Sequence, residues 1–449
     1  MRRWIYDLGF LIFGIFSLPH FLARLREAPL PRQLIRERFG FLPLDFLSAF
    51  GTVRPLWIHC VSVGEVLAAE KFIQLILERR PSQTLVLTTV TPTGQKMAKR
   101  WESERLKVFY FPFDFQSAVS RFFEALKPSI LLLVETELWP NTIEEAGRRQ
   151  IPVGIVNGRI SERSFRSFRR FSFLFRPVVT GIDFFLVQTQ KDRDRWISLG
   201  VDRDRVKVTG NMKLDNFEGN GRRGTERESL REKWGFLASD QILIGGSTHP
   251  GEEEILFRAV RELRREFPLK LLLAPRHIER SMKILTLAKK HGFQAVLATH
   301  KNSPHLYPPP APAGGGKEGG FDVLILDQLG ELRKLYPLAD VVFMGGSLVR
   351  RGGQNPVEPA SSWRAIVHGP WVFNFEELYH RLDEEGASLR VASESELIFV
   401  LKRVLRSERE KEYLGTRAYE VLVNLQGASE RNFNWINQLL IQRGGGNDV

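Results

Sequence analysis

The sequence predicts two α/β domains in tandem, each built on a parallel sheet. Short, continuous apolar runs alternate with amphipathic stretches, the alternation lapses once into a polar, glycine-rich segment near the middle, and it then resumes. Continuous apolar runs mark strands buried on both faces, which parallel sheets flanked by helices require. A chain of 449 residues also exceeds one ordinary domain and suits two or three.

The first element is apolar. After Met1, Arg2 and Arg3, residues 4–23 are mostly apolar, with an unbroken run of weakly or strongly apolar residues from Leu8 to Leu18. Arg24, Arg26 and the helix-like LPRQLIRERFG follow, where a secretory signal would need a small-residue cleavage site. Asp7, Pro19 and His20 make the stretch marginal as a deep span of about 20 residues, while Trp4 and Tyr6 suit an interfacial belt. The expectation is an uncleaved membrane anchor over 1–26, either spanning or lying flat; the alternative is a buried core helix.

Next come the strands of an N-terminal domain over 27–213: LWIHCV (56–61), TLVLTTV (84–90), KVFYFPF (107–113), ILLLVET (130–136), PVGIVNG (152–158), FFLVQT (184–189) and VKVTG (206–210). Amphipathic stretches such as EVLAAEKFIQLILERR (65–80) separate them. The segment 214–235, with its NFEGNGRRGTERES, reads as a linker. A C-terminal domain over 236–430 follows, with strands at ILIGGS (242–247), LKLLLAP (269–275), FDVLILD (321–327), DVVFMGG (340–346) and RAIVHG (364–369), and 431–449 reads as a tail. PPPAPAGGGKEGG (308–320) reads as a surface insertion. Ligands of such sheets bind beyond the carboxyl ends of the strands, so an interdomain cleft is the expected site.

Charge and cysteine content narrow the function. A net charge of +13 calls for an anionic partner or surface, nucleic acid or anionic lipid. Arginine is dispersed, and no zinc-finger, helix-turn-helix or RRM signature occurs, which disfavours nucleic acid. Cys60 is the single cysteine, so an intrachain disulfide and a cysteine-based zinc site are both excluded; it reads as a small buried hydrophobe.

Polar residues at the predicted strand ends are the candidates for chemistry. Glu65 follows the first strand at a helix N-terminus, where the dipole favours a carboxylate able to take a proton from a sugar hydroxyl; an ordinary first-turn acid would look the same. In ETELWPN (135–141), Glu135 and Glu137 share a face if the strand continues, and such a pair implies a proton or a cation between them. No histidine stands at metal-site spacing, which favours proton work over ligation and predicts no metal or other cofactor. Lys213 in GNMKLD could neutralise a phosphate or be a solvated linker charge, and Arg276 in APRHIER could meet a phosphate. GGSTHPGEEE (245–254) lacks the lysine of a Walker A loop and no GxGxxG occurs, which disfavours an NTPase or a dinucleotide enzyme; Ser247, Thr248 and His249 carry no assignment. In GGSLVRRGGQNPVEPA, Asn355, Pro356 and Glu358 signal a helix start after a glycine-rich loop, with bare backbone N–H groups suited to a phosphate. Alternatively, Glu358 only caps that helix.

Taken together, SVGE, ETELWP, GNMKLD, STHPGEE, PRHIER, LGEL (329–332) and GGSLVRRGGQNPVEPA resemble the 3-deoxy-D-manno-octulosonic acid (Kdo) transferases of lipopolysaccharide assembly. The likeness implies a GT-B fold of two Rossmann-like domains. It further implies inverting transfer of Kdo from a CMP-Kdo donor to a lipid A precursor acceptor, at the cytoplasmic side of the cell inner membrane. By the family pattern Glu65 is the general base, and Glu135 and Lys213 support the transition state. Pro275 and Arg276, Leu329, Gly330 and Glu331, and Asn355, Pro356, Val357 and Glu358 match the CMP-binding positions. A lipid acceptor suits RISERSFRSFRRFSFLFR (159–176), which interleaves arginine and phenylalanine at helical spacing; the alternative there is a solvated helix with an ordinary core stripe. Two rival functions are a GT-B transferase using a nucleoside diphosphate sugar and a non-catalytic scaffold that binds anionic lipid.

Overall fold

The computed structural model describes residue 6 and residues 31–43, 53–217, 224–300 and 320–443. The chain folds as two compact units, Met1–Asn216 with Leu425–Val449, and Phe217–Asn424. The expected anchor over 1–26, Tyr6 apart, and the insertion over 308–320, Gly320 apart, lie outside the described residues. Among the described residues no helix is long and apolar enough to cross a membrane.

The first unit holds seven parallel strands: β1 (Leu56–Cys60), β2 (Leu85–Thr89), β3 (Leu106–Tyr110), β4 (Ile130–Val134), β5 (Val153–Gly158), β6 (Phe184–Val187) and β7 (Val206–Val208). Their order is β3-β2-β1-β4-β5-β6-β7. The direction of winding therefore reverses between β1 and β4, which pair directly from Leu56 against Ile130 to His59 against Leu133. That reversal opens a crevice beyond the carboxyl ends of these two strands. The sheet is apolar on both faces, as the continuous runs require. On one face Trp57 packs at 4.8 Å from Phe122 and 5.1 Å from Phe123 and donates from its indole N–H to Thr88 Oγ1 at 2.8 Å.

The second unit repeats the plan with β8 (Gln241–Thr248), β9 (Leu269–Pro275), β10 (Ala295–Leu297), β11 (Val323–Ile325), β12 (Val341–Met344), β13 (Ala365–His368) and β14 (Ser388–Arg390), in the order β10-β11-β9-β8-β12-β13-β14. Here the winding reverses between β8 and β12, paired from Leu243 against Val341 to Gly246 against Met344.

Two boundaries differ from the sequence expectation. Within the expected linker, Gly224–Trp234 is a helix. Its charged face is an anchor: Arg227 Nη2 donates to the buried Asp340 carboxylate at 2.9 Å. Residues 431–443 of the expected C-terminal tail are also helical, within Ala428–Arg443, and this helix belongs to the first unit. Phe433 and Ile436 enter the core beside Val66 and Phe72, and Trp435 packs on Phe184 at 4.2 Å. Asp215 fixes the approach by accepting the Gly427 N–H at 2.7 Å. This helix braces Val63–Arg79, the helix that carries Glu65.

Candidate active site

Glu65 lies one turn beyond β1, as the third residue of the 17-residue helix Val63–Arg79. It is 7% exposed. Its Oε2 accepts the Val61 N–H at 2.7 Å and its Oε1 accepts the Ser62 hydroxyl at 2.9 Å. The side chain thus turns back over its own helix start, as a capping acid does, and its position is set to within a hydrogen bond. Burial outweighs the two hydrogen bonds and raises the Glu65 pKa; the neighbouring Glu135 charge adds to the rise and Lys213 opposes it. A carboxylate raised in this way is a better proton acceptor than a solvated one.

The loop after β4 supplies the neighbours. The strand stops at Val134, and Glu135 adopts φ +65°, a left-handed conformation uncommon for a residue with a side chain. Glu135 and Glu137 are therefore not alternate residues of one strand, as expected from the sequence. Both lie in the loop after β4, and because β4 adjoins β1 that loop stands at the same end of the sheet as Glu65. Lys213 Nζ pairs with Glu135 Oε1 at 2.6 Å. Its backbone is placed by Asn157, whose Oδ1 accepts the Met212 N–H at 3.0 Å, and by Asn211 Oδ1 on the Lys213 N–H at 3.0 Å. Lys213 is thus ion-paired, with its side chain 41% exposed.

Glu137, which the sequence left without a role, has no hydrogen bond or ion pair among the described residues. Burial, then the charges of Glu65 and Glu135, push its pKa up to about 8. At neutral pH the group holds a proton. The ExExxP spacing around the β4 end, Glu135, Glu137 and Pro140, is the sequence signal that marks it.

In the second unit, the family's nucleotide positions gather at the carboxyl ends of the strands. Pro275 ends β9, and the Arg276 N–H donates to Thr248 O at 3.0 Å, tying it to the end of β8. Leu329 is 78% exposed, Gly330 takes φ +83°, and Glu331 pairs with Lys334 at 2.7 Å. Asn355 Oδ1 accepts the Val357 N–H at 3.2 Å. The helix begins at Val357, one residue later than the Asn–Pro signal suggests, with Pro356 in the capping position, and runs only five residues. Glu358 is half-buried, with its pKa raised by burial and drawn down by Arg333; no backbone donor reaches its carboxylate among the described residues, so the capping alternative is not what the structure shows.

One expectation is corrected outright. The loop after β12 does not leave the amides of its first turn, Gly346 to Leu348, bare. Glu252, fully buried, accepts the N–H groups of Gly346 at 2.7 Å, Ser347 at 3.0 Å, Leu348 at 3.1 Å and His249 at 2.9 Å. Gly353 and Gln354 donate back to Gly346 O and Gly345 O. A protein carboxylate fills the nest that an external phosphate was expected to occupy.

The Arg/Phe segment forms two helices, Glu162–Arg170 and Ser172–Thr180. Phe165 and Phe168 pack on the core, whereas Phe171 and Phe173 point outward, the latter 73% exposed. Arg163, Arg166, Arg169, Arg170 and Arg176 are all exposed.

Residues 33–216 match the domain family described as 3-deoxy-D-manno-octulosonic-acid transferase (kdotransferase). The 3-deoxy-D-manno-octulosonic acid transferase of Haemophilus influenzae is 32% identical over 407 residues, 90% of this chain and 91% of that protein. The chain belongs to the Kdo transferase family. As a member of it, the protein is a glycosyltransferase. Solved structures confirm the two-unit α/β plan of GT-B-like proteins. A UDP-GlcNAc 2-epimerase from Neisseria meningitidis, bound to UDP-GlcNAc, aligns with a TM-score of 0.58 over 86% of this chain and 100% of that one, at 12% identity. A glycosyltransferase from Rickettsia africae ESF-5 aligns with a TM-score of 0.58 over 87% and 99%, at 10% identity. For this Kdo transferase family member, the acid cluster at the β1–β4 reversal is the candidate active site.

Proposed function

We propose that the protein transfers Kdo from CMP-Kdo to a lipid A precursor at the cytoplasmic face of the inner membrane, with inversion at the anomeric carbon. The observation that carries this reading is the grouping of Glu65 with the Glu135–Lys213 pair beyond the ends of β1 and β4. Glu65 removes the proton of the acceptor hydroxyl as its oxygen bonds to the anomeric carbon of Kdo. The bond from that carbon to the phosphate oxygen breaks, and CMP leaves with the bonding pair. Inversion in one step requires attack in line with the departing phosphate, so base and nucleotide serve opposite faces of the sugar. Lys213, held by Glu135, supplies a fixed positive charge as the transition state develops, and Arg276 does so for the leaving phosphate.

Incubating the protein with CMP-Kdo and a tetraacylated lipid A precursor, and weighing the products, tests the proposal. One or more added Kdo masses are expected; an unchanged acceptor refutes it. Since the fold neighbours include a UDP-sugar enzyme, nucleotide choice is the companion measurement. CMP should raise the unfolding temperature more than UDP or GDP, and a preference for a diphosphate would favour another donor class.

The exposed arginines of 163–176 and the outward Phe171 and Phe173 suit an acceptor with phosphates and acyl chains at an anionic surface. Replacing Arg166, Arg169 and Arg170 together should cut binding to anionic vesicles and raise the acceptor KM by about tenfold or more, since each basic residue near such a surface contributes about 1 kcal/mol. The KM for CMP-Kdo should stay unchanged. Equal loss of donor affinity would refute the assignment.

A further inference from the structure

His249 follows β8 directly, at the point where the winding of the second sheet reverses, which is where ligands of such sheets bind. Ser247 at φ +53° turns the chain there, and the His249 N–H is fixed by Glu252. Side chains from two segments converge above Gly346, which itself takes φ +69°. A Cβ at Gly346 would meet His249 Cδ2 at 3.2 Å, Arg351 Cβ at 3.4 Å and Gln354 Nε2 at 3.4 Å. His277 stands edge-on to the imidazole, with ring centroids 6.1 Å apart.

The ring has a defined orientation. Gln354 Nε2 lies 3.1 Å from His249 Nε2 and donates to it, so the ring proton sits on Nδ1. Nδ1 has no partner among the described residues, yet it is not one of the fully buried unpartnered atoms, so solvent reaches it. Burial, with the charges of Arg351, His277, Arg276 and Arg280, lowers the His249 pKa, and the ring is neutral at pH 7. Arg280 is committed to Glu253 by two contacts of 2.9 and 3.1 Å, and Glu252 is saturated by four backbone donors. Arg276 and Arg351 have no carboxylate partner among the described residues and are exposed. A neutral N–H donor flanked by two uncommitted guanidinium groups is suited to an oxyanion.

We infer that His249, oriented by Gln354, donates its Nδ1–H to an anionic oxygen of the nucleotide-sugar donor, either of its phosphate or of its sugar carboxylate. This deepens the functional reading above and rests on it. His249→Ala should raise the KM for CMP-Kdo about ten- to a hundredfold, the usual weight of a hydrogen bond to a charged group. His249→Asn, whose amide N–H falls near the Nδ1 position, should restore most of the loss. Gln354→Ala frees the ring to rotate and should give a smaller rise, which keeps the inference testable if His249→Ala does not fold. Inhibition by CMP separates the two oxygens: a CMP Ki that rises with the donor KM assigns the phosphate, and an unchanged Ki assigns the sugar carboxylate. Donor KM and CMP Ki both within twofold of wild type, or an Asn variant as impaired as Ala, would overturn the inference while leaving the function standing. A wild-type protein that does not turn over CMP-Kdo would overturn the functional reading and this inference with it.

Discussion

Glu65→Gln is expected to lower kcat by about three orders of magnitude, within the range for losing a positioned general base, while leaving the unfolding temperature within a few degrees of wild type. The substitution preserves the local hydrogen bonding. The amide oxygen still accepts the Val61 N–H, and the Ser62 hydroxyl can rotate to accept from the new NH2. What disappears is the site for the acceptor's proton. The pH profile should change in step. A base must be ionised, and the Glu65 pKa is raised above its usual 4.5, so wild-type kcat/KM should fall as pH drops through that raised value. The residual rate of the variant should lack this limb. Glu137 keeps its proton up to about pH 8, so it adds no charge where Glu65 titrates. A kcat within tenfold of wild type, or an unchanged acid limb, would remove Glu65 from the chemistry and leave the base to another group.

The strands were legible wherever burial on both faces produced a continuous run, as in ILLLV of β4 or LKLLLAP of β9. Ala295–Leu297 and Ser388–Arg390, both three-residue edge strands, were not, although the equally short edge strand Val206–Val208 was. The Glu135–Glu137 grouping was anticipated from strand alternation, a premise the left-handed Glu135 removes. The two still share one loop, and Glu65 joins them because β1 and β4 are neighbours across the winding reversal, a pairing that only the three-dimensional order supplies. The apolar positions of 428–443 could be read in sequence, but not the helix of the first unit onto which they fold, more than 300 positions away. Glu252 illustrates the same limit. An acid in the first turn of a helix is unremarkable in sequence, and its partners lie 94 to 96 positions downstream.

Glu252→Ala should be the most destabilising single change in the second unit. It removes one carboxylate and leaves four backbone N–H groups, those of His249, Gly346, Ser347 and Leu348, without an acceptor in a site closed to solvent. Each buried donor so stranded costs about 1–3 kcal/mol, and relaxation or an entering water recovers part, so a net loss of about 4 kcal/mol is expected. For a unit of roughly 200 residues that corresponds to a fall of about ten degrees in Tm. Glu252→Gln should be nearly as damaging, because its NH2 would face N–H donors instead of accepting from them. The loss should also reach function: the loop that Glu252 holds carries Gly346, over which His249, Arg351 and Gln354 converge, so donor KM should rise even at temperatures where the variant is folded. Calorimetry checks the first consequence and steady-state kinetics the second. A Tm within two degrees of wild type would mean that the nest can be filled without the carboxylate, and an external phosphate would again be a candidate for it.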